Sequence, residues 1–365
     1  DQKKEITIND VSRAYFYAKC TRDLYIELPK EDPEAHPDFL GKLRLCLYGT
    51  RDAALNWQQT LSDHLVESGF VRGIGHPAVF HHPRRDIWTL VHGDDYCSAG
   101  TSDSLDWLQK TLEGKYKIKT QRIGEIDKKN EKKHEGQVLN RVVRWTPKGF
   151  ELEADLRHAE LIIEQLELGG SKPVVTPGVD VEGTCAAWEE EPEGEELAPA
   201  MATRFRTIAA RCNYLQPDRP DIQYAVKEVC RLMSRPTVKA WDLLKRIGRY
   251  LQGRPRLVWR YCWQAPLSTI DVTSDANWAG CRRGRKSTSG GTIMVGSHLI
   301  RFYSKTQSVI AKSSGESELY AVIRASTEGL GMVTLMKDLG IKDAKVRIGM
   351  DASAAIGMAQ RTGLN

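Results

Sequence analysis

The chain has 365 residues, 41% of them hydrophobic and 28% charged, which implies two or three folded domains and excludes a single small module, wholesale disorder and fibrous repeats. Lys and Arg total 53 against 48 Asp and Glu, a net charge of +5 that only weakly favours a polyanionic partner. No stretch approaches the roughly 18 to 20 apolar residues of a membrane span, and the opening DQKKEITIND lacks a secretory pattern, so no membrane partner is expected. The start without Met and the stop at RTGLN read as a piece of a longer polypeptide.

In chain order, EITINDV reads as a strand with Ile6 and Ile8 on one face, ending in an acid. KLRLCLYG reads as a strand turning at Gly49, followed by a helix with Ala54, Trp57, Leu61 and Leu65 at helical spacing. DIWTLVHGDDYCSAG is apolar on both sides of the polar tip His92-Gly93-Asp94-Asp95, the pattern of a β-hairpin. Residues 103–118 read as helix and 136–153 as a strand pair about a Pro-Lys-Gly turn. The texture then becomes helical at 203–216, 220–234 and 237–252, after a Pro/Gly/Glu-rich exposed linker near 175–200. From about 266 strands return, with Ile270 and Val272 leading to Asp275 and two strands from GGTIMVGSHLIRFYSKTQS. A long helix over 314–339 has Leu319, Val322, Ile323, Leu330 and Val333 as its apolar positions, and VRIGMD and ASAAIGMAQR close as strand and helix. The mixture is that of an α+β or α/β multidomain chain.

Basic residues crowd at Lys128, Lys129, Lys132 and Lys133, at Lys245, Arg246, Arg249, Arg254 and Arg256, and at Arg282, Arg283, Arg285 and Lys286, while 188–197 is an acidic island. Each tract suits a phosphate backbone or a solvated surface. Eight cysteines at irregular spacing fit free thiols in a reducing compartment. His81 and His82 have no Cys or His at zinc-ligand spacing.

Two acid constellations carry chemistry. Asp10 ends a strand and Asp94 and Asp95 occupy a hairpin tip, so adjacent strands would unite three carboxylates, an arrangement that a cation must neutralise. Oxygen donors of this kind suit Mg²⁺. Two ions about 3.5–4 Å apart would activate a 3′ hydroxyl and stabilise a leaving pyrophosphate. Gly-Asp-Asp is equally a good turn. In the second constellation, Asp275 lies near a strand end, Glu318 near a helix start and Asp351 at another strand end. Ser313 and Glu316 have capping-box spacing, which leaves Glu318 as the uncommitted acid. Asp351 could serve equally as an N-cap.

DVSRAYFYAKCTRDLYIELPKED, CLYGTRDAALNW and VHGDDYCSAG resemble, in this order, the reverse-transcriptase motifs of copia-type long-terminal-repeat retrotransposons. KPVVTP, RPDIQYAV and KRIGRYLQG resemble the stretch that follows, and SDANWAG, RKSTSG and SSGESELYA the family's ribonuclease H. The resemblance implies a palm over 1–154, a helical thumb and connection over 155–262 and a ribonuclease H-like α/β domain over 263–365, with fingers and nuclease each incomplete. It implies metal-binding, catalytic roles for Asp10, Asp94, Asp95, Asp275, Glu318 and Asp351, with two Mg²⁺, or Mn²⁺, per site. Tyr15 matches an aromatic gate against the ribose 2′ hydroxyl, and alternatively is a core tyrosine. Arg282, Arg283, Arg285 and Lys286 would track phosphates. Implied partners are an RNA template, a DNA primer, deoxynucleotide triphosphates, an RNA–DNA hybrid and other Pol segments such as integrase, in a cytoplasmic virus-like particle or the nucleus. The chain departs from the family at His92 and Gly93, where Tyr and Val are usual, and at Asp52, where Gln is usual. Asp52 would put negative charge near the incoming nucleotide or template, and His92 reads as a turn-flanking residue.

Overall fold

The structure is a computed structural model and describes residues 4–125, 133–178, 195–281 and 284–361. It divides into two compact units, one of residues 1–138, 145–147 and 334–342, the other of 139–144, 148–333 and 343–365.

The first unit opens with β1 (Lys4–Val11) and a 3₁₀ turn (Ala14–Tyr17), then β2 (Tyr25–Glu27), β3 (Leu40–Lys42) and α1 (Ala53–Glu67). β4 (Val71–Arg72), β5 (Val79–His82), β6 (Ile87–His92), β7 (Asp95–Thr101), α2 (Ser102–Glu113), β8 (Ile118–Ile123) and β9 (Glu135–Val138) follow. Six strands form one sheet in the order β4-β5-β6-β7-β1-β8. The helices pack on it through Trp57, Leu61, Leu65, Leu105, Leu108 and Leu112, all buried.

Several local expectations change phase. On β1 the buried face is Glu5, Thr7, Asn9 and Val11, while Ile6, Ile8 and Asp10 share the half-exposed face. On α1 it is Ala53, not Ala54, that joins Trp57, Leu61 and Leu65 in the core. KLRLCLYG is no continuous strand. β3 ends at Lys42, and the rest lies along residues 18–24 through backbone bonds from Cys20 to Arg44, Leu43 to Leu24 and Cys46 to Ala18. α2 stops at Glu113 rather than 118.

The second unit takes most of β10 (Arg141–Thr146), then β11 (Gly149–Glu153) and α3 (Leu156–Gln165), capped by Asp155 accepting from the Arg157 N–H. α4 (Pro199–Leu215), α5 (Pro220–Arg231) and α6 (Val238–Gly253) enclose a core of Phe205, Ile208, Ile222, Val226, Leu244 and Ile247. Arg219, 1% exposed, pairs both its ends with Asp221 at 2.9 and 2.7 Å and donates to the carbonyls of Arg254 and Pro255. That pairing is what the Arg-Pro-Asp of RPDIQYAV builds, since a buried guanidinium is tolerable only when its N–H groups are answered. β12 (Val258–Cys262) pairs antiparallel with β11.

β13 (Thr269–Cys281), β14 (Lys286–Val295), β15 (His298–Thr306), α7 (Ser314–Asp338), β16 (Lys345–Gly349) and α8 (Ser353–Gln360) complete the chain. Their sheet runs β15-β14-β13-β16, with β16 parallel to β13. α7 buries small residues, Ala321, Ala325 and Gly329, with Val322, whereas Ile323 and Leu330 are exposed. A Cβ on Gly329 would lie 2.8 Å from Val346, so helix and sheet approach too closely for the larger residues. Every described cysteine is a free thiol. Among the described residues no helix is long and apolar enough to cross a membrane. Part of the exposed linker, residues 179–194, lies outside the described residues, as do Lys128, Lys129, Lys132, Arg282 and Arg283 and most of the acidic island.

Candidate active sites

The first site follows from strand register. β1 and β7 are antiparallel with Asp10 opposite Asp95, and β6 pairs with β7 through His92 opposite Asp95, leaving Gly93 and Asp94 as a two-residue tip. Gly93 sits at φ 66°, a conformation that side-chain-bearing residues reach only at a cost. The Trp57 indole donates to the Gly93 carbonyl at 2.9 Å, and the Val11 N–H to the Asp94 carbonyl at 3.1 Å, so helix and strand both hold the tip. One carboxylate oxygen from each of Asp10, Asp94 and Asp95 then lies within 4.8 Å of the others. Burial, and after it the charges of Asp94 and Asp10, push the Asp95 carboxyl above its ordinary range. Among the described residues Lys119 is a cationic neighbour of the group, 4.0 Å from Asp10.

Tyr15 is half-buried against the core, and its ring lies 4.4 Å from that of the exposed Tyr48. Asp52 does not present a bare charge. Arg22 donates to it at 2.7 Å and Asn56 at 3.3 Å, holding its carboxyl down at about 2. Sequence reading missed Arg22 because the pair spans 30 positions.

The second site joins three elements. β13 carries Asp275 in its middle rather than near its end, since the strand continues to Cys281. Its parallel neighbour β16 stops at Gly349, opposite Thr273, so Asp351 emerges two residues beyond. At the start of α7, the Ser313 hydroxyl accepts from the Glu316 N–H at 3.1 Å, and Glu316 accepts from the Lys312 N–H at 2.7 Å. This capping arrangement occupies Glu316 and leaves Glu318 turned to the sheet. Glu318 is 8% exposed; its Oε1 accepts from the Ala276 N–H at 3.1 Å, and its Oε2 is buried with no hydrogen-bond partner among the described residues. Burial, then the charges of Asp275 and Asp351, raise its carboxyl, against the pull of the Ala276 bond. Oxygens of Asp275, Glu318 and Asp351 again lie within 4.8 Å of one another. Asp351 is not the N-cap of α8; Ala352 holds that position, with no side-chain cap bond.

An unpartnered, buried carboxylate oxygen facing two aspartates is unstable by itself, and a proton or a hard divalent cation could neutralise it. The donor sets of both triads, all carboxylate and partly open to water, fit Mg²⁺. The phosphate-tracking candidates are less concentrated than the sequence implies. Arg285 is exposed and Lys286 half-exposed. In the 245–256 tract, Arg246 donates to Gly178 and Thr176, Arg249 to Lys172 and Arg256 to Glu153. Those guanidiniums fasten the linker and β11.

The fold is mixed α+β, and it is similar to that of the foamy viral protease-reverse transcriptase solved in complex with double-stranded DNA. TM-score is 0.54 at 12% identity, covering 100% of this chain and 63% of that one. The same enzyme in its dRH form matches equally, with 54% of that chain covered. A reverse-transcriptase fold is thereby defined. The chain belongs to the Pol polyproteins of copia-type retrotransposons. It is 29% identical to the retrovirus-related Pol polyprotein from transposon RE2 of Arabidopsis thaliana over 91% of its length, and 24% identical to that from transposon TNT 1-94 of Nicotiana tabacum over 98%. An uncharacterized mitochondrial protein of Arabidopsis thaliana is 30% identical, with 66% of this chain and 92% of that protein covered. The chain spans 22% of the RE2 polyprotein and 26% of the TNT 1-94 one. No protein-family model matches it.

Proposed function

We propose that this chain is the polymerase and nuclease segment of a retrotransposon polyprotein: an RNA-directed DNA polymerase joined to a ribonuclease H. The reading rests on one observation above others, that two separate units each gather three carboxylates within 4.8 Å. Palm, thumb with connection, and ribonuclease H-like domain are assigned to 1–154, 155–262 and 263–365.

At the first site Asp10, Asp94 and Asp95 would hold the ions while a primer 3′ hydroxyl attacks a deoxynucleotide triphosphate. At the second, Asp275, Glu318 and Asp351 would hold them while water cuts RNA in an RNA–DNA hybrid. Bound Mg²⁺, or Mn²⁺, supplies the lowered pKa of the attacking oxygen and the charge that balances the leaving one. The chain's own part is positional. Trp57 and Val11 fix the tip that carries Asp94, and the Ala276 N–H orients Glu318. Tyr15, backed by Tyr48, is assigned the crowding of a ribose 2′ hydroxyl, and Arg285 and Lys286 contact with hybrid phosphates.

Primer extension on an RNA template, with Mg²⁺ and deoxynucleotide triphosphates and the segment in its parent polyprotein, tests the reading. Extension is expected, and its survival in Asp94→Asn would contradict the assignment. A second reading, a silent chain that keeps nucleic-acid binding, rests on His92 and Gly93; it predicts salt-sensitive hybrid binding without turnover. The pairing of Asp52 with Arg22 removes a third ground for it.

A further inference from the structure

Within the first unit, the loop between β4 and β5 and the segment 334–342 are fitted to each other. Asp338 is the last residue of α7, and its side chain is 7% exposed. Its Oδ1 accepts from the Ile74 N–H at 2.9 Å and, at 3.5 Å, from that of Gly75. Its Oδ2 accepts from the His76 N–H at 2.8 Å and lies 3.1 Å from His76 Nδ1. On the helix's own terms an acid belongs elsewhere, because the terminal carbonyls already carry partial negative charge. Successive loop N–H groups aimed at one carboxylate offset this, as in other backbone anion sites. Burial alone would raise the Asp338 carboxyl; the N–H groups of Ile74, His76 and Gly75 and the His76 ring hold it below its ordinary range.

Steric fit points the same way. A Cβ on Gly75 would lie 2.2 Å from Thr334 Cγ2, and one on Gly73 3.0 Å from the Asp338 carboxyl. Beyond the helix, the Leu339 carbonyl accepts from the Trp88 indole at 2.8 Å. Gly340, at φ 87°, passes so close to His81 that a Cβ would sit 2.7 Å from the ring, which itself stacks on Trp88.

We propose that Gly73–His76, with His81 and Trp88, is a receptor for a helix end bearing a carboxylate, and that its ligand is this chain's own 334–342, which completes the first unit from 262 residues beyond His76. A chain interrupted before Thr334 leaves the loop amides, the His76 ring and the Trp88 indole without these partners. Trp88 lies on β6, the strand that leads to the Asp94 tip. The inference is independent of either activity.

Amide hydrogen exchange on the full chain tests it. In the wild-type protein the Ile74 and His76 amides, which lie in no helix or strand, are expected to be protected. Asp338→Ala should speed their exchange by about 10- to 100-fold, the range for hydrogen bonds to a charged group, with Asp338→Asn between, and leave the β1–β7 ladder unchanged. Fast exchange at both amides in the wild type overturns the proposal without any variant, and unchanged protection in Asp338→Ala overturns it equally.

Discussion

The triad of the first unit is built on a turn and the triad of the second on three elements far apart in sequence, and the two hold their charge differently. At the hairpin tip two acids are chain neighbours and the third faces them across a ladder, so backbone geometry alone forces them together, with Asp94 open to water. In the second unit Asp275 and Asp351 are exposed and the strain falls on Glu318, buried with one oxygen unanswered. A turn can carry crowded charge because solvent screens it; a strand–helix–strand site must place one acid inside, where only a cation or a proton neutralises it.

The largest expected effects separate the two triads. Asp94→Asn should lower primer extension on the order of 10³-fold and leave hybrid cleavage within about twofold, as sites that share no side chain behave independently. Asp275→Asn should do the reverse. Loss of both activities from either substitution would break the comparison. Mg²⁺ comes next. At saturation it should stabilise the protein by about 1–3 kcal/mol, more at neutral pH than near pH 5, because binding must displace protons from raised carboxyls. Without divalent ions the sign is set by Asp95 and Glu318, both raised. From the ordinary carboxylate value up to their folded values the native state binds more protons than the unfolded chain, so stability contributed by these groups falls as pH rises.

Glu318→Gln should accordingly raise the melting temperature of the metal-free protein, by about 1 kcal/mol in stability, while removing the Mg²⁺-dependent gain of the second unit. A calorimetric scan with and without Mg²⁺ checks both. Asp52→Asn is expected to have the smallest effect, a slight salt-dependent destabilisation from losing an exposed ion pair. A shift larger than that of Glu318→Gln would contradict the weight given to burial.

Much of this was legible in the sequence where the signal is local. The His92–Asp95 tip, the Ser313–Glu316 cap and the helices of the middle region follow from turn chemistry, capping and 3.6-residue spacing. Five of the six acids could be placed because each lies at or beside an element end that those rules locate; Asp275 differs, since β13 runs on past it to Cys281. What was not legible depends on partners far away. Nothing in 43–46 reports that it will lie along residues 18–24 instead of continuing the strand, since its alternation suits either fate. The polar Glu5-Thr7-Asn9 face of β1 is buried because the helices lie on that side, a choice no strand makes alone. Ile323 and Leu330 mark an apolar stripe, yet α7 packs through its small residues because β16 runs too close. Arg22 and Asp338 owe their roles to pairings that spacing does not encode.

Two independent cation sites made from two triads are the centre of the account, and direct titration with Mn²⁺, followed by calorimetry or by the loss of its free electron-spin signal, tests them without requiring turnover. Two separable classes of bound ion are predicted in the wild-type chain, one lost in Asp94→Asn, the other lost in Asp275→Asn, and both in the double variant. Binding by the wild type that is no greater than by the double variant would contradict it.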